Sequence, residues 1–243
     1  MVVSLYTSRV ILNVLGVSDF GIYTVVGGVV FLFTFISGSM AGATQRFLAF
    51  ELGTDNRIRL KQVLNSSVII HLLLALSLLV LAETIGFWLF VEYINIPEER
   101  MRAASYVYHF SVITFFATIV TVPYKALIIA HEDMGIFALM GVVETVLKLA
   151  IVYLLFFVTW DKLIVYAALV LLVTFLIGVM QFIYCRSKYE ECRFEWCSNR
   201  LLYSKLLTFS GWQIFGSLAF VLSSQGINIL LNLPVGGINL VRI

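Results

Sequence analysis

The sequence predicts an all-α fold, a polytopic membrane helix bundle of about seven transmembrane helices, and three observations predict it. Five stretches, 20–45, 62–82, 103–124, 163–185 and 206–241, run more than twenty residues each without an Asp, Glu, Lys or Arg; only Glu144 and Lys148 interrupt a sixth, 134–160. A hydrocarbon core about 30 Å thick needs about 20 apolar helical residues to cross it. Hydrophobic residues make up 61% of the 243 and charged residues 12%, against about 25% charged in a soluble domain. The spans also lack the short alternation of barrel strands, and an open sheet edge would leave backbone groups unsatisfied in lipid.

Taken in order, the first helix is 1–15, bounded by the turn Gly16-Val17-Ser18-Asp19. At 1.5 Å per residue it reaches about 22 Å, short of a bilayer, so either it begins inside the membrane or the start codon lies upstream. Complete spans follow near 20–48, 64–91, 104–130, 135–159, 163–184 and 206–231. Residues 51–62 read as a short polar or interfacial helix between the second and third spans. Pro123 sits late in the fourth span, where its missing N–H should bend the helix. Met1 opens directly into an apolar segment containing Arg9, which is not the layout of a cleavable signal peptide.

Charge in the connections sets an orientation. With 16–20 taken as external, the internal connections 46–61, 125–134 and 185–205 hold ten basic residues, and the external ones, 16–20, 92–102 and 159–162, hold three. The positive-inside rule then puts the N-terminus in the cytoplasm. A net charge of +2 with no long basic run excludes a nucleic-acid binder. Cys185, Cys192 and Cys197 share one polar loop without a neighbouring histidine or CxxC spacing, so they read as free thiols facing a reducing cytosol. No metal site and no cofactor is expected. There is no GxSxG, HExxH, P-loop or GxGxxG, and catalysis is not expected.

The charges stranded in the spans are the candidate functional residues, because a charge at bilayer depth costs at least about 2.5–3.5 kcal/mol and normally faces a bundle interior or an aqueous cavity. Arg9 lies mid-segment in the first helix with Asn13 one turn on, and no carboxylate in that helix can pair with it. Glu144 and Lys148 are four apart on one face; they either neutralise each other or meet a substrate directly. Lys125 either snorkels to the inner interface or contacts a ligand. Glu83 either lines the cavity or sits hydrogen-bonded near the outer boundary. The functional reading is a polar cavity, net basic in its inner half, that accepts an anionic headgroup. Gly38 and Gly42 form a GxxxG best read as close helix packing. His71 and His109, in apolar spans, are expected to be hydrogen-bonded structural histidines, and His131-Glu132-Asp133 a polar turn.

Several stretches carry a family likeness. Ser8-Arg9, Leu15-Gly16, Phe20-Gly21-Ile22-Tyr23, Ala43-Thr44-Gln45-Arg46-Phe47-Leu48, Pro123 through Glu132, Phe209-Ser210-Gly211-Trp212 and Ser224 through Asn232 resemble, in order and spacing over about 1–233, Wzx-like bacterial polysaccharide flippases. These belong to the multidrug/oligosaccharidyl-lipid/polysaccharide exporter superfamily. The resemblance implies two six-helix lobes around a cavity that opens alternately to each side. The cargo it implies is a polyprenyl-pyrophosphate-linked oligosaccharide for surface polysaccharide, with a coupling ion as a further partner, in the bacterial inner membrane. By the same likeness Arg9 matches a conspicuous first-helix arginine and Arg46 the basic end of the second helix. The site therefore comprises Arg9, Asn13, Arg46, Lys125, Glu144 and Lys148. Residues 1–205 would be an N-terminal lobe and 206–243 the first helix of the next. Family members have about twelve to fourteen helices, so a truncated chain is expected. Two rival readings remain: a cation-coupled drug or metabolite exporter using Glu83 or Glu144, and a non-transporting membrane scaffold.

Overall fold

The computed structural model describes residues 2–31, 34–54, 56–93, 96–192 and 200–232; Cys197 and the tail 233–243 lie outside these. Eight α-helices follow one another: α1 (Val2–Phe31), α2 (Thr34–Gly53), α3 (Arg57–Leu81), α4 (Phe87–Tyr93), α5 (Glu98–Ala130), α6 (Met134–Leu154), α7 (Lys162–Lys188) and α8 (Arg200–Asn232). A single π-helical turn, Ala82–Gly86, joins α3 to α4, and among the described residues there is no strand. Among the described residues five stretches are long and apolar enough to cross a membrane: Thr7–Gly27, Arg57–Gly86, Glu98–Ala130, Met134–Phe157 and Lys162–Lys188. The second expected span, 20–48, is formed by the back of α1 and by α2, and the seventh lies in α8. The all-α polytopic bundle expected from the sequence is the fold observed.

The expected turn after the first helix is one residue wide. Gly16 takes φ 82° and ψ 169° inside α1, and the helix resumes on its far side. A side chain there would be strained, because positive φ brings Cβ against the backbone. The expected interfacial helix at 51–62 is not a separate element. Instead α2 runs on to Gly53 and α3 starts at Arg57, capped by the Asn56 side chain, which accepts from Arg59 N–H at 3.0 Å. A side-chain acceptor just before the first helical residue satisfies a backbone donor that would otherwise be orphaned, and this is what splits the segment.

Helix α5 is the centre of the bundle and packs against α1, α2, α3, α6 and α7. Its N-terminal half joins a core of Ile22, Val26, Phe90, Val107, Tyr108 and Leu163. Its C-terminal end joins a second core of Leu48, Leu60, Leu64, Leu127 and Cys185. A third, of Ile11, Val14, Ile151, Leu155 and Val173, seals α1 against α6 and α7. Pro123 is buried within α5, which continues to Ala130. Aromatic and aliphatic side chains of α6 and the turns beyond it, such as Leu139, Val146 and Trp160, are exposed, as a lipid-solvated surface requires.

Each end of the bundle is tied by ions. At one end Arg100 forks between Asp19, at 3.0 Å, and Asp161, at 2.7 Å. Those three residues come from the three connections assigned to the outside. At the other end Lys188 Nζ sits 2.7 Å from Asp133, Arg57 3.5 Å from Glu190, and His131 Nε2 3.2 Å from Glu191, in ion-pair range but not aligned as a hydrogen bond. These residues come from the connections assigned to the inside. Tyr189 donates to the Asp133 carboxylate and stacks on His131 with ring centroids 4.0 Å apart. The Lys188 ammonium, and then the Tyr189 hydroxyl, hold the Asp133 carboxyl below its usual range. Burial and that same carboxylate push the Tyr189 phenol up.

Candidate functional site

The bundle forms a half-open cavity of about 580 Å³. Its longest wall is α5. Ser111, Thr114, Thr118, Thr121 and Lys125 all line it, and their steps of three and four put them on one face of the helix. Opposite, α7 contributes Thr174 and Gln181, with Gly178 between them. A Cβ added at Gly178 would lie 2.6 Å from Thr121 Cγ2, so glycine is what lets α7 approach α5 here. From α2 come Ser37, Gly38 and Gln45, from α1 Tyr23 and Gly27, and from α6 Glu144.

Two of the six expected site residues, Lys125 and Glu144, line this cavity. Glu144 is tied to Lys148 at 2.6 Å, the i,i+4 pair the sequence spacing gives. Lys125 reaches over the Phe137 ring, 5.4 Å from its centroid, and no carboxylate among the described residues lies within ion-pair distance. The cavity wall therefore carries one uncompensated positive charge. Arg9, Asn13 and Arg46 are exposed and lie outside the lining, as does Lys148. The Arg46 guanidinium sits 4.9 Å over the Phe209 ring of α8. Arg9 has no ion pair with a described residue.

The chain matches the model of the polysaccharide biosynthesis protein family over residues 1–237. It belongs to that family. A solved structure, the outward-facing conformation of a multidrug resistance MATE family transporter of the MOP superfamily, superposes with a TM-score of 0.79 at 12% identity. The match covers 95% of this chain and 51% of that one, so the chain spans about half the length of the neighbour. At this identity the two share a fold. No curated protein matches the chain.

In this polysaccharide biosynthesis family member several other polar groups of the spans are paired, while Ser66, Ser67 and Gln213 keep buried oxygens without a partner among the described residues. Glu83, on the π-helical turn, meets His109 Nδ1 at 2.8 Å, and Phe87 stacks on the imidazole. Tyr108 donates to Ala82 O at 2.6 Å, and only a glycine fits at 86, because a Cβ there would run into the Tyr108 hydroxyl. His71 is buried with Nδ1 2.8 Å from Ser67 O, while its Nε2 finds no partner among the described residues. Gly42 of the GxxxG faces α8, where a Cβ would meet the Gln213 amide nitrogen at 2.5 Å. Ser39 donates to Ser217 at 2.8 Å across the same contact. Of the two glycines, then, Gly42 sits in the contact with α8, while Gly38 has nothing within 4 Å of its missing Cβ and lines the cavity. Among the described residues no group of three His, Cys, Asp or Glu side chains could hold a metal. Sequence reasoning missed the hydroxyl row of α5, although its three-and-four spacing inside an apolar span was a readable signal.

Proposed function

We propose that the chain translocates a lipid-linked oligosaccharide for surface polysaccharide biosynthesis, with its N-terminus in the cytoplasm of a bacterial inner membrane. The observation that carries this reading is the cavity with its unpaired Lys125 and self-neutralised Glu144–Lys148 pair. A positive charge on the cavity wall attracts a pyrophosphate and forms charge-assisted hydrogen bonds with it, while the prenyl tail stays in lipid. Arg9 and Arg46, exposed on α1 and α2 outside the cavity lining, would attract the same phosphates by charge. Asn13 would assist Arg9. Residues 1–205 act as one lobe and 206–243 begin the next, and the lobes rock around the site.

The test is transport of a fluorescent prenyl-pyrophosphate oligosaccharide in proteoliposomes. Lys125→Met should cut the rate by about tenfold or more and Lys125→Arg should restore it; full activity of Lys125→Met would sink the role of Lys125. A cation-coupled exporter is the second reading. The solved neighbour's multidrug description and the Glu83–His109 contact within the spans favour it. It is weakened by Glu144, the acidic side chain among the lining residues, being neutralised by Lys148. Efflux of an organic cation from the same vesicles, without movement of the lipid-linked sugar, would establish that second reading instead. The scaffold reading predicts no cavity, and the 580 Å³ hollow argues against it.

A further inference from the structure

We propose that the hydroxyl-lined wall of the cavity holds the sugar rings of the cargo and selects a polyhydroxyl, phosphate-linked headgroup over an organic cation. The inference rests on the transport reading above and adds to it the chemical class recognised inside the bundle.

The placement of polar side chains is the first observation. In α5 between residues 110 and 122 the hydroxyl residues are Ser111, Thr114, Thr118 and Thr121, and all four line the cavity. In α7 between 167 and 183 the polar side chains are Thr174 and Gln181, and both line it from the other side. Hydroxyls that bond back to their own helix are common in membrane helices and could sit on any face. Here every one in these segments faces the void and none faces lipid. From Ser111 to Lys125 the row extends about 21 Å at 1.5 Å per residue, most of the hydrocarbon depth.

The hydrogen bonds give the wall its character. Thr114 donates to Phe110 O at 2.7 Å, Thr118 to Thr114 O at 2.9 Å, Thr121 to Thr118 O at 2.9 Å and Thr174 to Val170 O at 3.0 Å. A hydroxyl that has donated its proton keeps lone pairs to accept with. The wall is therefore a row of acceptors, suited to a ligand rich in donors. Donors come in two kinds, neutral hydroxyls and ammonium groups. The uncompensated charge on Lys125 decides between them, because it repels a cation and attracts the phosphate that a lipid-linked sugar carries. Gln181, with both an amide donor and a carbonyl acceptor, matches a sugar hydroxyl, which also has both. A volume of about 580 Å³ falls within the span of about 300–1,000 Å³ typical of small-molecule sites.

The experiment measures binding to the chain in lipid nanodiscs with three probes: a short prenyl pyrophosphate bearing a disaccharide, the same prenyl pyrophosphate without sugar, and tetraphenylphosphonium. Wild type should bind the disaccharide probe more tightly than the bare one, and tetraphenylphosphonium least. The isosteric double variant Thr114→Val/Thr118→Val should weaken the disaccharide probe about tenfold and the bare probe less than about twofold. Thr118→Ser, which keeps the hydroxyl, should match wild type and serves as the reference should the double variant fold poorly. If sugar adds no affinity, or Thr114→Val/Thr118→Val weakens both pyrophosphate probes alike, the sugar-wall proposal is overturned while the transport reading stands. If neither pyrophosphate probe binds and tetraphenylphosphonium does, the transport reading falls with it.

Discussion

A glycine, a tyrosine and a π-helical turn make one mechanical unit. The extra residue of the turn leaves Ala82 O to accept from Phe87 N–H and from the Tyr108 hydroxyl, and Gly86 leaves space for that hydroxyl. Gly86→Ala is expected to destabilise the protein by about 1–3 kcal/mol, because the methyl must displace a packed tyrosine. Tyr108→Phe should recover much of that loss, since Ala82 O keeps its backbone partner and the colliding oxygen is gone. Thermal unfolding in detergent of both single variants and the double would show it, and strict additivity would contradict the clash. Asp133 makes a second prediction at this scale. Its carboxyl is held below the ordinary 3.8 by Lys188 and then Tyr189, so its stabilisation is present above that value and is lost as pH falls through the depressed folded value. Asp133→Asn should lower the melting temperature at pH 7 and have little effect at the acid end of the range; an equal effect at both would mean the charge is not what matters. That Lys125 and Glu144 line the cavity was legible because a charge in an apolar run stands out. The threonines beside them were not, since a hydroxyl in a membrane helix is unremarkable until its neighbours across the cavity are known.

Helices this apolar hold their relative positions less by burial, which lipid offers equally, than by close packing and by polar links at the ends. Arg100 is the clearest such link. Its Nη2 and Nη1 reach Asp19 and Asp161 separately, joining α1, α5 and α7 through one planar group. Arg100→Lys can hold only one carboxylate well at a time. With the arginine side chain 40% exposed, solvent screens part of the gain, and a loss of about 1–2 kcal/mol is expected. Unfolding of Arg100→Lys and of Arg100→Lys/Asp161→Asn tests it, for the second substitution should cost less in the lysine background than in wild type. The helical, membrane-spanning character of the chain was legible, because charge-poor length reports bilayer thickness directly, whereas the bounds of the first two helices were not: α1 runs across Gly16 to Phe31 and α2 begins only at Thr34. The reading of 51–62 as its own helix failed for a local reason: polarity marks an interface equally in a separate helix and in two helix ends meeting at a cap. The fork at Arg100 was illegible, because its three residues are far apart in the chain and each looks like an ordinary loop charge.

At the scale of the molecule the two ionic clusters divide the connections into two sets. Asp19, Arg100 and Asp161 gather 16–20, 92–102 and 159–162 at one end. Lys188–Asp133, His131–Glu191 and Arg57–Glu190 gather 46–61, 125–134 and 185–192 at the other. The basic residues are concentrated in the second set, so the positive-inside rule applied to this division expects that end on the cytoplasmic side. This yields a topological prediction. In a background carrying Cys185→Ala, Cys192→Ser and Cys197→Ser, single cysteines are placed at Trp160 and Ile58, which are 81% and 75% exposed at opposite ends. A membrane-impermeant maleimide applied to intact cells should label Trp160→Cys at once, and Ile58→Cys only after permeabilisation. The reverse pattern would invert the orientation and put the Lys125 end of the cavity on the outer face. Labelling of both from one side would break the division itself, because no arrangement of these helices that keeps the Arg100 fork and the Lys188–Asp133 pair can bring the two connections to the same surface.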